Sequence, residues 1–169
     1  MFAEKMSQEL PDLETKETKP VARTMTATEL VGVIYKTQSL PQDNRFLPTN
    51  RGGVFEYFNL ADLTGLSAGD KLYPVVLVAD KIVGLAELEK NPRDPKIFWI
   101  KFISVDPSEQ GKGFATKLTR EIFRFAKEND LALETSSYSE VGYQKLKDLF
   151  SRLAQEYSVR FIDTERKLN

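Results

Sequence analysis

The chain of 169 residues contains no cysteine and no histidine. Without cysteine there can be no disulfide, thiolate metal site or cysteine nucleophile. Without histidine, a Ser-His-Asp triad, a His-Glu-x-x-His zinc site and a histidine general base are all excluded. An all-carboxylate metal site remains open but has no signature in this sequence, and no metal is expected. An excess of one charge sign is also lacking: 24 Lys and Arg stand against 25 Asp and Glu. No global field therefore draws nucleic acid or anionic lipid. No apolar run reaches the roughly 18 residues of a membrane span. Residues 1–24 are polar, of mixed charge, and without the apolar centre of a signal peptide. The expected location is the cytoplasm.

What is present fits a globular protein, with 41% hydrophobic and 29% charged residues. Residues 1–22 read as a flexible N-terminal arm and 23–169 as a single domain. Thr26 and Glu29 have capping-box spacing for a helix start, yet the cluster Leu30, Val31, Val33, Ile34, Tyr35 suits a strand equally. Gln38 to Gly53 is a long connection punctuated by proline and glycine, followed by the aromatic run Phe55, Tyr57, Phe58. Then KLYPVVLVAD, KIVGLAELEK and KIFWIKFISV read as three strands joined by short turns, an antiparallel meander. The period then changes. Phe114, Leu118, Ile122 and Ala126 recur every fourth residue, which predicts a helix. LALETSS is a short strand, Leu146 to Tyr157 carries a second helical stripe, and SVRFID is a last strand. The fold class expected is α+β.

Between the third strand and the first of these helices lies SVDPSEQGKGFATKL. Asp106-Pro107 ends the strand, and the helix opens near Gly113. The first N–H groups of a helix lack intrahelical partners and carry the positive end of its dipole. Gly111 and Gly113 would let a ligand approach the backbone, and Lys112 and Lys117 add positive charge. Together these suit phosphate or pyrophosphate. Two familiar phosphate loops do not fit: Lys112 is followed by Gly113 rather than Ser or Thr, and Thr116 stands where a dinucleotide fingerprint needs glycine.

Gln110-x-x-Gly113-x-Ala115, set between a strand and an amphipathic helix, resembles the acyl-CoA pyrophosphate loop of the GNAT superfamily of N-acetyltransferases. The resemblance runs from about Lys71 to Asp163. It implies a mixed, mostly antiparallel sheet with a splayed central strand pair and helices on both faces. It implies acetyl-CoA as co-substrate, with backbone groups of Gln110, Gly111, Lys112, Gly113, Phe114, Ala115 and Thr116 on the pyrophosphate. The strand segment Ile103, Ser104, Val105 would pair with the pantetheine arm as an added strand does, with Ser137 a further candidate contact. Lys117 and Arg120 are placed for the 3′-phosphate or for solvent.

Acyl transfer to an amine needs a proton acceptor for the amine and a proton donor for the departing thiolate. With no histidine, the acceptor would be a carboxylate. Glu87 and Glu89 alternate along one strand, share a face, and resemble the family's acidic position. Tyrosine is the family's common thiolate acid. Tyr143, in Tyr-x-Lys-Leu, resembles the family's stretch there, although Lys147-Asp148 replaces its Gly-Phe; Tyr138 is the second candidate. The partners implied are acetyl-CoA and an amine-bearing acceptor (small molecule, peptide or protein), without a membrane. No basic stripe supports a nucleic-acid partner. The alternative is a catalytically silent protein of the same fold that binds acyl-CoA or a protein. Monomer and homodimer are both compatible with the sequence.

Overall fold

The structure, a computed structural model, describes residues 18–37, 63, 68–135 and 140–164, with the backbone alone for 140–144. Its elements are β1 (Val21–Thr26), α1 (Ala27–Thr37), β2 (Lys71–Val78), β3 (Lys81–Lys90), β4 (Ile97–Val105), α2 (Phe114–Glu128), β5 (Ala132–Thr135), α3 (Glu140–Tyr157) and β6 (Phe161–Asp163). The six strands form one sheet in chain order. Pairings β1–β2, β2–β3 and β3–β4 are antiparallel, so the expected meander is present and extended by one strand. The β4–β5 and β5–β6 pairings are parallel, each bridged by a helix, as parallel neighbours require. None of the described helices is long and apolar enough to cross a membrane.

Local chemistry explains the element ends. β1 passes directly into α1 at Thr26, where the capping box forms in full. Thr26 N and Oγ1 donate to Glu29 Oε2 at 2.8 and 2.9 Å, and Glu29 N donates back to Thr26 Oγ1 at 3.3 Å. The Thr26 backbone N–H, above all, holds the Glu29 carboxyl below its ordinary range. Between β2 and β3, Ala79 and Asp80 have φ of 48° and 65°, the pair of left-handed residues that a tight hairpin turn requires.

Two apolar clusters cover the two faces of the sheet. On one, Met25, Leu30, Ile34, Tyr73, Val75, Ile82 and Leu85 pack beneath α1. On the other, Val76, Ala86, Leu88, Phe98 and Ile100 meet Leu118, Ile122 and Phe123 of α2 and Phe150 and Leu153 of α3. The predicted stripe Phe114, Leu118, Ile122, Ala126 is buried throughout. Phe150 joins α3 to α2 and β6 through ring centroids 6.0 Å from Phe123 and 5.4 Å from Phe161. Helices thus lie on both faces of a mixed α+β sheet, as expected.

Candidate functional site

Beyond β4 the chain is tied down before it reaches the glycines. Asp106 N donates to the Val83 carbonyl at 2.9 Å. The Asp106 carboxylate accepts from Ser108 N at 2.9 Å and Ser108 Oγ at 2.7 Å, and lies 3.5 Å from Lys81 Nζ. The Ser108 hydroxyl bond, above all, holds this carboxyl below the usual aspartate range, with Lys81 assisting. Pro107–Glu109 makes one 3-10 turn, and Gln110 is extended. Gly111 and Gly113 then adopt φ of 81° and 82°. An added Cβ would meet nothing within 4 Å at either position. The backbone conformation, not crowding by neighbours, is what demands glycine here.

Gly113 is the N-cap of α2 and supplies no capping side chain, and the first turn of α2 contains no acid. Its first N–H groups, on Phe114, Ala115 and Thr116, are thus left to an external acceptor at the positive end of a 15-residue helix. Gln110 to Gly113 are exposed, and Phe114 is buried as the anchor of the turn. Lys112 Nζ lies 2.8 Å from Glu109 Oε2, so part of its charge is spent within the loop. Attraction for an anion therefore comes first from backbone. Arg120 is paired with Glu156 of α3, and Lys117 is partly exposed beside the loop.

Among the described residues, β4 pairs in parallel with β5 from Ile97↔Ala132 to Ile100↔Thr135, and β4 itself continues to Val105. At the same point the β3–β4 register jumps from Leu88↔Ile100 to Glu87↔Phe102, so Lys101 is an extra residue on β4. Such a bulge bends and twists its strand. It also exchanges the faces. Before it, Phe98 and Ile100 pack with α2; after it, Ile103 and Val105 do so, and Phe102 packs with the α1 cluster. Ile103, Ser104 and Val105, the predicted pantetheine segment, thus lie beyond the last described β4–β5 pair and lead into the glycine loop. Ser104 is buried and the other two are half-buried. Sequence reasoning missed the bulge. The change of spacing from Phe98–Ile100 to Ile103–Val105, with one lysine between, was its signal.

Glu87 and Glu89 lie together on the α1 side of β3, but in different settings. Glu87 is buried, with Lys71 Nζ 3.1 Å from its Oε1. Glu89 is half-exposed, 3.2 Å from Lys101 Nζ. The buried cation Lys71 was not foreseen, since a lysine opening a strand gives no sign of its burial. The backbone at Tyr143 lies in the first turn of α3; its side chain, with Tyr138 and Ser137, is outside the described residues, as are Gln38 to Gly53, Phe55 to Phe58 and the first 17 residues. Trp99 was not singled out from the sequence. Its indole Nε1 donates to Glu134 Oε2 at 2.8 Å across the β4–β5 pair.

The family model for the acetyltransferase (GNAT) family matches residues 35–148. No curated protein matches the sequence significantly. Among solved structures, one similar chain is a putative GNAT-family acetyltransferase from Desulfovibrio desulfuricans, 15% identical, with TM-score 0.52 over 80% of this chain and 84% of that one. A Trypanosoma brucei acetyltransferase is 16% identical, TM-score 0.50, covering 89% and 99%. A spermidine N-acetyltransferase chimera from Vibrio cholerae and hSSAT is 18% identical, TM-score 0.50, covering 80% of each. At these identities the structural likeness concerns the fold.

Proposed function

Since the chain belongs to the GNAT acetyltransferase family, we propose that it transfers an acetyl group from acetyl-CoA to a primary amine by direct attack in a ternary complex. The observation that carries this reading is the strand-loop-helix at the end of β4. There, two glycines with positive φ lead into a helix N-terminus without a capping side chain. The donor's pyrophosphate takes the N–H groups of residues 110–116, where the helix dipole favours negative charge. Its pantetheine arm runs along Ile103 to Val105 as an added strand.

The amine nitrogen then attacks the thioester carbon. Its lone pair forms the C–N bond, and the C–S bond breaks to release a thiolate. Glu89, the more accessible carboxylate, takes the ammonium proton, directly or through a water. Glu87, held against Lys71, is the alternative acceptor. Tyr143 or Tyr138 returns a proton to the sulfur. The tight setting of Glu87 supports a fixed charge more than a mobile proton. Isothermal titration with acetyl-CoA, followed by CoA release on a panel of amines, tests the reading. Saturable binding and amine-dependent release are expected. Binding without release from any amine would leave a silent acyl-CoA binder instead. Tyr143→Phe and Tyr138→Phe identify the acid: the correct one lowers kcat and leaves acetyl-CoA binding intact.

A further inference from the structure

On the α1 side of the sheet, one row of side chains crosses three strands just before the bulge. Glu89 of β3, Trp99 of β4 and Glu134 of β5 are direct register neighbours. All three are half-exposed. Trp99 donates its indole N–H to Glu134 at 2.8 Å, which aligns the ring between the two carboxylates. The bulge residue Lys101 folds back over this row. Its ammonium lies 5.6 Å from the Trp99 ring centroid and 3.2 Å from Glu89 Oε2. An aromatic face with an adjacent carboxylate is the chemistry by which proteins hold ammonium groups. Here an ammonium of the chain itself already occupies it.

The row has more negative charge than Lys101 can balance. Glu134 makes no ion pair among the described residues, and its one named donor, the indole N–H, is neutral. An ionised carboxylate has about four lone-pair sites, so both acids can take further N–H donors. The position matters as much as the charge. Trp99 stands two residues before Lys101, the bulge residue of β4 that leads into the segment proposed for the pantetheine, and a strand rises only about 3.3 Å per residue. A cation held on Trp99 is therefore about 7 Å from the bulge, a gap that a few methylene groups bridge.

We propose that Trp99 and Glu134 of this row form a subsite for a second ammonium group of the acceptor, so that the substrate is a diamine or polyamine. This inference rests on the acyl-transfer reading for the fate of the first amine. The second amine stays charged and displaces the Lys101 ammonium from Trp99. It is held by the Trp99 ring and the Glu134 carboxylate, which leaves Glu89 to take the proton of the first amine at the thioester.

Trp99 is the sole tryptophan of the chain, so intrinsic fluorescence reports directly on the subsite. The full chain, with and without saturating CoA, is titrated with cadaverine and, separately, with pentylamine, which lacks the second amine. The expected result is a saturable change with cadaverine at a concentration at least about tenfold below that for pentylamine, a difference of ~1.4 kcal/mol. E134Q removes that advantage. K101M, which deletes the internal competitor, lowers the cadaverine midpoint several-fold and provides the test should E134Q fail to fold. Equal midpoints for the two amines, no saturable change with either, or binding no tighter in K101M would each overturn the proposal. CoA release measured in parallel separates the two readings. Absence of release from every amine counts against acyl transfer, whereas a selective fluorescence response would still support the second-ammonium subsite.

Discussion

Placing a carboxylate at Ala115 separates a phosphate-binding helix end from a plain turn, because the two predict different pairs of results. Ala115 is the second residue of α2, after an N-cap glycine without a capping bond, in a first turn that contains no acid. An aspartate there meets the positive end of the helix dipole and stabilises the fold by about 0.3–1 kcal/mol. For a domain of this size, that raises Tm by ~1–3 °C. The same carboxylate competes for the N–H groups that the donor's pyrophosphate would use. Two like unit charges about 4 Å apart repel by ~4 kcal/mol at an effective dielectric constant near 20. With salt screening taken into account, a loss of ~2 kcal/mol, or about thirtyfold in affinity, is expected. Ala115→Asp should therefore melt higher and bind acetyl-CoA more weakly, with Ala115→Asn as the neutral control of similar size. The assays are thermal denaturation and isothermal titration. A more stable Ala115→Asp variant with unchanged affinity would refute the reasoning, and an equal loss in Ala115→Asn would show that bulk rather than charge was responsible.

Other consequences concern stability and pH. Gly113→Ala places a Cβ at φ 82° and should cost about 1–2 kcal/mol in urea unfolding, with Gly113→Asn costing less because asparagine tolerates that conformation. Glu121 is buried on α2, where it accepts from Thr24 Oγ1 at 2.9 Å and from two nitrogens of Arg124 at 2.8 Å each. Glu121→Ala should therefore lower stability by about 2 kcal/mol, less than for a fully buried pair because Arg124 is partly exposed. The Asp106 carboxyl, with its folded pKa depressed by Ser108 and Lys81, stabilises the fold above its unfolded value of about 3.9. That contribution is lost as pH falls through the folded value. Unfolding curves of wild type and Asp106→Asn should consequently differ at neutral pH and converge in acid; a difference that persisted below both values would count against the Ser108 and Lys81 contacts as its source.

The legible parts of the molecule were those decided by local pattern. β2, β3 and β4 are continuous apolar runs because both sheet faces are covered at their centres, and α2 shows a four-residue stripe because it has one covered face. The loop could be read because its glycines answer to a backbone requirement rather than to distant neighbours. β1 was harder. Val21–Thr26 is an edge strand with Val21, Arg23 and Thr26 exposed, so its run is not apolar, and the helix signal at Thr26 belongs to its last residue. Features set by register were not legible. The extra residue Lys101, the contact of Trp99 with Glu134 across 35 positions, and the burial of Lys71 against Glu87 all depend on how strands align. Glu87 and Glu89 were correctly placed on one face, but only the fold distinguishes the buried carboxylate from the accessible one.

The central claim is that the backbone at the start of α2 holds the donor's pyrophosphate. Amide NMR during a titration with acetyl-CoA tests it most directly, since the N–H protons in question are the proposed contacts. The account predicts saturable, hydrogen-bond-type downfield shifts concentrated at Gly111, Gly113, Phe114, Ala115 and Thr116, with smaller changes along Ile103 to Val105. Saturable binding that leaves these amides unmoved, with the shifts elsewhere in the sheet, would contradict it.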